Sequence, residues 1–456
     1  MQTTNTNFST LSLSPEMLQN LDKIAYTSMT PIQANTLPHI LQGKDIIAEA
    51  KTGSGKTAAF GIGILSTLDV KKFRVQSLIL CPTRELADQV ARELRNIAKF
   101  AHNIKILTLC GGTAFGPQYG SLQHGAHIIV GTPGRVLKHL KKDSLNLKDI
   151  KTLILDEADR MLDMGFMEEI SEVLDFAPKE RQILLFSATY TDEVLDISQT
   201  IQKDAIHVKT AEIELKNKID EIFYNTNERE KLHTLIKILA QYNPTNAIVF
   251  TNTKLKADEI TDAMQNKEMD ALALHGDLEQ YDRNDVLVQF ANKSCRVLVA
   301  TDVAARGLDI KELAMVINYD LPHTLEIYTH RIGRTARAGA TGIAISLYTN
   351  IEDEQEFAGE NKEFLDSSNL QEPKNFNMLS EYVTLVIEGG KKDKLRAGDI
   401  LGALTGDQGL AGSSIGKIDV YERQSYVAIE RKMIENAYEY LKNGKIKTKK
   451  FSVWIL

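Results

Sequence analysis

Ala50-Lys51-Thr52-Gly53-Ser54-Gly55-Lys56-Thr57 follows an apolar run with strand character, Asp45-Ile46-Ile47-Ala48, and leads into the helix-compatible Ala58-Ala59-Phe60-Gly61-Ile62. Strand, glycine-rich turn and helix form the context of a phosphate-binding loop. Gly53 and Gly55 let the backbone turn tightly and bring N–H groups close to phosphate oxygens. The helix that starts near Lys56 adds its positive end. Lys56 can reach the β- and γ-phosphates of a nucleotide, and the Thr57 hydroxyl can ligate Mg²⁺. Ala50 stands where the strict pattern has glycine. The competing reading, a glycine-rich turn with a surface lysine, weakens once the surrounding strands are read.

Apolar, β-rich runs recur on both sides of this loop. Ser77–Cys81, Ile104–Leu109, Ala126–Val130, Thr152–Leu155 and Ile183–Phe186 read as short buried strands, with a helix predicted over Glu85–Phe100. Near-continuous apolar strands separated by helices indicate a parallel sheet covered on both faces. Ligands of such sheets bind beyond the C-terminal strand ends. The ends here carry Pro82-Thr83-Arg84, Thr132-Pro133-Gly134-Arg135, Asp156-Glu157-Ala158-Asp159 and Ser187-Ala188-Thr189. Each alone could be a helix cap or loop. Together, beside a phosphate loop, they read as a site. Asp156 occupies the position of an acid that holds Mg²⁺. Glu157 is placed to orient or deprotonate an attacking water.

The totals set bounds. At 456 residues the length prior gives about three domains. The composition, 43% hydrophobic and 25% charged, is that of a globular chain. No stretch approaches a membrane span, and the polar start Met1-Gln2-Thr3-Thr4-Asn5 carries no secretory signal. Cys81, Cys110 and Cys295 are far apart, read as small buried hydrophobes and fit a reducing cytoplasm. The net charge of −7 hides an asymmetry: residues 382–456 carry 13 basic and 9 acidic side chains, +4, which leaves −11 on the rest. A basic module on an acidic body points towards nucleic acid.

A polar stretch, Lys209–Asp220, reads as a linker, after which the βα rhythm resumes without a second phosphate loop. Strands are predicted over Ala247–Phe250, Ala271–Leu274, Arg296–Ala300, Met315–Tyr319 and Ile343–Tyr348. Arg334 and Arg337 in His330-Arg331-Ile332-Gly333-Arg334-Thr335-Ala336-Arg337 are three apart and can point the same way from one helical turn. Such a pair can neutralise a transferring phosphoryl group. A solvated basic helix end is the plainer alternative.

Gln33, Ala50–Thr57, Pro82–Ala87, Gly111-Gly112, Thr132–Arg135, Asp156–Asp159 and Ser187–Thr189 resemble, in order, the motifs of the DEAD-box RNA helicases. Ala50 is normal in that family. The resemblance implies two RecA-like parallel-sheet domains in tandem, an α/β fold, with ATP and Mg²⁺ at the phosphate loop. It implies that Gln33 reads adenine and Phe8 stacks on it, and that Lys51, Thr52, Gly53, Ser54 and Gly55 cradle the nucleotide. It gives Asp309 a ribose contact, Arg334 and Arg337 the finger role, and His330 a link to the acidic segment. It makes Pro82, Thr83, Arg84, Gly111, Gly112, Thr132, Pro133, Gly134 and Arg135 RNA-backbone contacts. In the second half Thr251, Gly276, Gln280, Arg283 and Thr301 take the same role. Ser187 and Thr189 couple the two sites. Ala336 stands where the family has glycine.

Beyond the acidic, polar Ile351–Ser380, six elements are predicted: strand Tyr382–Ile387, helix Lys394–Leu404, strands Ile415–Tyr421 and Tyr426–Glu430, helix Arg431–Leu441, and strand Lys445–Ile455. This βαββαβ order is the ferredoxin-like, α+β order of RNA-recognition folds. Tyr426-Val427-Ala428-Ile429 lacks the aromatic strand that would stack bases, so RNA binding is expected from Lys391, Lys392, Lys394, Arg396, Lys447, Lys449 and Lys450. Trp454 is read as core rather than platform. Gly389–Leu404 and Gly416–Val420 resemble the RNA-binding domain of the DbpA group of these helicases. That implies recruitment to 23S ribosomal RNA near hairpin 92 and to pre-50S particles, in the cytoplasm, with a monomer favoured. The expected domains are 1–208, 209–366 and 378–456, with a linker at 367–377.

Two other readings stay open on sequence: a non-enzymatic, ATP-gated RNA clamp or a helicase of other RNAs, and a translocating DNA helicase. Lys56, Asp156, Glu157, Arg334 and Arg337 speak against the clamp. The 2′-hydroxyl separates RNA from DNA.

Overall fold

In a computed structural model the chain forms three sheets. The structure describes residues 6–50, 53–209, 219–305, 313–335, 341–349, 357, 362–372, 376–406 and 409–456. The first sheet gathers β1 (Ile46–Glu49), β2 (Ser77–Leu80), β3 (Ile106–Leu109), β4 (Ile128–Gly131), β5 (Thr152–Asp156), β6 (Gln182–Ser187) and β7 (Ile206–Lys209). Its order is β3-β4-β2-β5-β6-β1-β7, with every pairing parallel. Successive strand residues feed two different cores. Ile46, Ile79, Ile154 and Leu184 belong to one, and Ile47, Leu78, Leu153 and Leu185 to the other. Both faces are therefore buried, as the unbroken apolar runs require.

Parallel strands all end on one rim, so strand order decides which end loops become neighbours. β3, β4 and β2 are adjacent and lead into Gly111-Gly112, Thr132–Arg135 and Pro82–Arg84. β5, β6 and β1 are adjacent and lead into Asp156–Asp159, Ser187–Thr189 and the phosphate loop. The sheet thus splits into an expected RNA half and an expected nucleotide half.

The second sheet repeats the plan with β8 (Ile219–Asn225), β9 (Ala247–Thr251), β10 (Ala271–Leu274), β11 (Val297–Thr301), β12 (Met315–Asn318), β13 (Gly342–Tyr348) and β14 (Lys362–Asp366). Its order is β10-β11-β9-β12-β13-β8-β14, again parallel. β7, β8 and β14 escape the sequence reading because charged residues interrupt their apolar pattern. Lys209 and Ile219-Asp220, read as linker, are strand residues; 210–218 lie outside the described residues. Among the described residues β14 pairs with β8 alone, and a charged, half-exposed edge strand resists pairing with other chains.

The third sheet comprises β15 (Tyr382–Ile387), β16 (Ile415–Val420), β17 (Ser425–Glu430) and β18 (Val453–Ile455), antiparallel in the order β16-β17-β15-β18. Helices Ala397–Leu404 and Ile434–Asn443 cover one face. The expected βαββαβ order holds, but β18 is far shorter than Lys445–Ile455. Lys447 adopts φ 57°, and Ile446 bridges to Lys449 in a turn, so the basic run folds back before the strand begins.

The other face of this sheet rests on the second lobe, and the two form one compact unit. Val386, Tyr426 and Trp454 pack around Val288 of the Gln280–Ala291 helix. The Tyr426 hydroxyl donates to Asp285 at 2.7 Å, and the Asn292 amide donates to Thr384 at 2.9 Å. Arg431 and Ser380 both donate to the Asp270 carboxylate. Trp454 is thus seam core, and the sheet face that a standard RNA-recognition fold would offer to bases is covered.

Candidate active site and nucleic-acid interface

The phosphate loop leaves β1 and enters the Lys56–Ser66 helix through Gly53 at φ +85° and Gly55 at φ +95°, which only glycine adopts without strain. Gly55 also lies against Gln33: a Cβ there would stand 2.5 Å from Gln33 Nε2. That amide donates to the Gly55 carbonyl at 3.1 Å while its oxygen accepts from Thr30 N at 3.0 Å. Gln33 is therefore fastened to the loop it was expected to serve. Lys51 and Thr52 lie outside the described residues. Phe8, expected to stack on a base, is 4% exposed and belongs to the core cluster of this lobe.

Lys56 is 6% exposed, and its ammonium has no hydrogen-bond partner among the described residues; the Ser54 and Ser187 hydroxyls are likewise buried and unsatisfied there. A buried ammonium without an acceptor is costly. It fits a site built around an anion brought from outside. Asp156 closes β5 at 2% exposure. Burial, only partly countered by Lys56 and worsened by Glu157, pushes its carboxyl up to about 7. Such a carboxylate suits a cation, and Thr57, expected as the second donor to Mg²⁺, is half-buried on the first turn of the helix.

Glu157 follows in the left-handed region, φ 56° and ψ 55°, at 4% exposure. This conformation costs a glutamate roughly 1–2 kcal/mol. One carboxylate oxygen lies 3.5 Å from Arg160 Nη1. Asp159 is engaged by the neighbouring turn after β6. Its Oδ2 accepts from Ala188 N, Thr189 N and Thr189 Oγ1 at 3.1, 3.2 and 3.1 Å. The acidic segment and the Ser187–Thr189 turn are thereby one unit, as a coupling element requires.

On the RNA half, two arginines lean on the loop after β3. Gly112 sits at φ +67°, and a Cβ there would fall 1.6 Å from Arg84 Nη1. Thr83 spends its hydroxyl capping the Arg84–Ile97 helix, accepting from Leu86 N at 3.2 Å. Arg135 donates to the Thr113 carbonyl from both Nη1 and Nη2 at 3.0 Å, and to Gln118 Oε1 at 2.8 Å. The same oxygen lies 3.0 Å from His139 Nε2, while Gln118 Nε2 donates to Cys110 O and Thr113 Oγ1. His139, stacked on Phe115 at 4.1 Å, is held down at about 4 by burial and then by Arg135. It is neutral, so Nε2 carries the proton and Nδ1 faces Ser144 Oγ at 2.8 Å.

Gln118 carried no sequence signal, yet it fixes an expected RNA-contacting arginine. Gln118→Leu is expected to raise the RNA concentration that half-saturates ATP hydrolysis about tenfold, the scale of a hydrogen bond to a charged group. The rate at saturating RNA should stay within about twofold, and the change should vanish in an Arg135→Ala background. Titrations of ATPase activity against RNA in the three variants measure this.

In the second lobe, β10, β11 and β9 are adjacent and bring Gly276, Thr301 and Thr251 to one rim. Thr251 is fully buried and donates to the Thr253 carbonyl at 3.1 Å. Arg283 Nη2 donates to Ala304 O at 2.6 Å, tying the Gln280–Ala291 helix to the segment after β11. Asp309 and Arg337 lie outside the described residues. Arg334 is 5% exposed but is not on a helix as the spacing predicts. The Leu325–Ile332 helix stops at Gly333, and Thr335, which donates to Leu313 O at 2.6 Å, draws the chain into a bridge.

His330 is half-buried, and its neighbour Arg331, to which no role is assigned from sequence, is the hub of this lobe. At 2% exposure its guanidinium grips Asp302 with two bonds of 2.6 and 2.7 Å. It also donates to Asn318, the Asp320 carbonyl and Asn252 at 3.1, 2.6 and 3.1 Å, and lies 5.0 Å from the Phe250 ring centroid. One side chain thus joins the ends of β9, β11 and β12.

In the third domain Lys391, Lys392, Lys394 and Arg396 are exposed, as are Lys449 and Lys450. Lys447 is not a free charge: it donates to the Lys394 carbonyl and pairs with Asp399, both at 2.8 Å, holding that carboxyl below its usual range.

Three family descriptions cover the chain: DEAD/DEAH box helicase at residues 30–197, helicase conserved C-terminal domain at 230–339, and DbpA RNA binding domain at 384–455. The chain is 50% identical to the ATP-dependent RNA helicase DbpA of Escherichia coli, over 99% of this chain and 100% of that one. The chain belongs to the DEAD-box ATP-dependent RNA helicases, in the DbpA group. CshA of Bacillus cereus, another DEAD-box ATP-dependent RNA helicase, matches at 45% identity over 77% of this chain and 67% of its own. A structure of Saccharomyces cerevisiae Dbp5 bound to RNA and ADP BeF3 superposes with a TM-score of 0.72 at 30% identity, covering 80% of this chain and 96% of that one. As a DEAD-box enzyme the chain uses ATP and binds RNA, and the two parallel sheets are its RecA-like domains. No helix among the described residues is long and apolar enough to cross a membrane.

Proposed function

We propose that this helicase hydrolyses ATP at the loop between β1 and Lys56, and uses the cycle to separate short RNA duplexes during assembly of the large ribosomal subunit. The observation that carries the chemistry is the buried, unsatisfied Lys56 ammonium beside Asp156 and Glu157. Lys56 holds the terminal phosphates, Gln33 reads the base, and Glu157 takes a proton from the attacking water. Thr57 and Asp156 would hold Mg²⁺, which supplies charge neutralisation on the β- and γ-phosphates. Arg334 and Arg337 complete the charge compensation, with His330 linking them to the acidic segment. Asp159, through Thr189, reports the state of this site to the RNA half.

Arg84, Gly112, Arg135, Gly276, Gln280, Arg283 and Thr301 hold the RNA backbone, which gives the core no sequence choice. Choice comes from the third domain, through Lys391, Lys392, Lys394, Arg396, Lys449 and Lys450. Its likeness to the DbpA RNA binding domain supports 23S ribosomal RNA near hairpin 92, within pre-50S particles in the cytoplasm, as the target.

Three ATPase measurements test this: without RNA, with generic RNA and with large-subunit ribosomal RNA. Selective stimulation by ribosomal RNA is the expected result, and equal stimulation by both RNAs would remove the assembly role. Deleting the third domain would expose Val288 and Asn292, so the better variant is Lys391→Glu with Lys392→Glu. It should lose the preference for ribosomal RNA and keep stimulation by generic RNA at saturating concentration.

A further inference from the structure

The Gln280–Ala291 helix faces two ways. Gln280 and Arg283, in its first turn, belong to the RNA rim of the second lobe. Tyr281, Asp285, Val288 and Asn292 fall at helical spacing on one stripe, and this stripe seats the third domain. Tyr281 is the end of the stripe where it emerges from the seam. Its hydroxyl accepts from Gln424 Nε2 at 2.6 Å, yet the residue is 47% exposed. Across the seam Tyr421, 42% exposed, stands edge-on to Tyr426 at 5.5 Å. Of the described tyrosines only Tyr119, Tyr281 and Tyr421 count as exposed, and two of these three flank the Gln424–Tyr426 segment.

Basic groups surround them. Backbone N–H groups of Lys391 and Lys392 donate to the carbonyls of Tyr421 and Glu422 at 2.8 and 3.0 Å. The exposed lysine turn therefore lies directly on the turn that carries Tyr421 and Arg423. Gly390 makes this approach possible: a Cβ there would be 2.3 Å from Tyr421 O and 2.7 Å from Arg423 N. Lys391, Lys392 and Arg423 are all exposed and stand among the exposed acids Glu279, Asp282, Glu388 and Glu422, so the cations are local to the Tyr421 turn rather than a net positive patch.

We propose that Tyr281 and Tyr421 form a stacking platform for single-stranded RNA that leaves the second-lobe rim, with Lys391, Lys392 and Arg423 on its phosphates. Alternating aromatic faces and cations are what a sequence-tolerant strand needs. The platform is continuous with Gln280 and Arg283, so it rests on their reading as RNA contacts. It joins the RNA surfaces of two domains into one track.

The full chain, with a non-hydrolysable ATP analogue, is titrated with poly(A) of about 8 and about 24 nucleotides, lengths on either side of a single stacking site. Tyr281→Ala with Tyr421→Ala is expected to weaken the longer strand about tenfold and to leave the shorter within about twofold. Tyr421→Phe, which keeps the ring, should bind as wild type, and unchanged thermal unfolding excludes a folding defect. Unchanged affinity of the alanine variant for the longer strand overturns the platform and leaves the tyrosines to a protein partner. Failure of the wild-type chain to bind either strand would instead overturn the RNA rim itself.

Discussion

Glu157→Gln should bind ATP and RNA within about threefold of wild type and lose ATP turnover by about 10²–10⁴-fold, the usual contribution of a general base. The side chain is isosteric, and the left-handed backbone at 157 is a property of the chain path rather than of the charge. Removing a carboxylate beside Asp156 relieves repulsion instead of adding it, because Glu157 helps to raise that carboxyl. The fold should therefore not weaken, although Arg160 loses a partner at 3.5 Å. Single-turnover hydrolysis with binding measured in parallel separates the two effects. Turnover within tenfold of wild type would assign the base elsewhere.

Arg331→Ala should be the most damaging single change in the second lobe. It removes five hydrogen bonds and leaves Asp302 without its fork in a largely buried place. Breaking a buried pair by deleting one member costs about 3–5 kcal/mol. Urea unfolding of the full chain should show that loss together with loss of RNA-stimulated ATPase activity. Arg331→Lys should recover little, since a single ammonium cannot grip both Asp302 oxygens while reaching Asn252 and Asn318. Recovery by lysine to within about 1 kcal/mol would mean that charge, not fork geometry, is what the lobe requires.

These two residues show what a sequence discloses and what it withholds. Glu157 was legible because it ends an apolar run next to an acid, and strand ends in parallel sheets are where ligands bind. The phosphate loop was legible for the same local reason. Arg331 stands in a recognisable run, but its role depends on three strand ends that only sheet order brings together. Gln118 is less visible still: it lies in a short helix with no buried residue, and its four partners come from two other segments, the loop after β3 and the Pro133–Lys141 helix. The stripe Tyr281-Asp285-Val288-Asn292 alternates apolar and polar side chains, so it has no amphipathic signature and the seam could not be foreseen. β8 and β14 were missed because edge-side strands keep charges that core strands shed. β18 was overextended because Lys447 turns the chain through a conformation that no strand pattern encodes.

The helix beneath the third domain has a consequence for anyone who treats that domain as a transferable address label. Its binding seat is written into Asp270, Asp285, Val288 and Asn292 of the second lobe. Grafted onto a helicase core without those residues, the domain would keep its own fold but hang without a defined orientation. A chimera that preserves the orientation of this domain must move the seat along with the label.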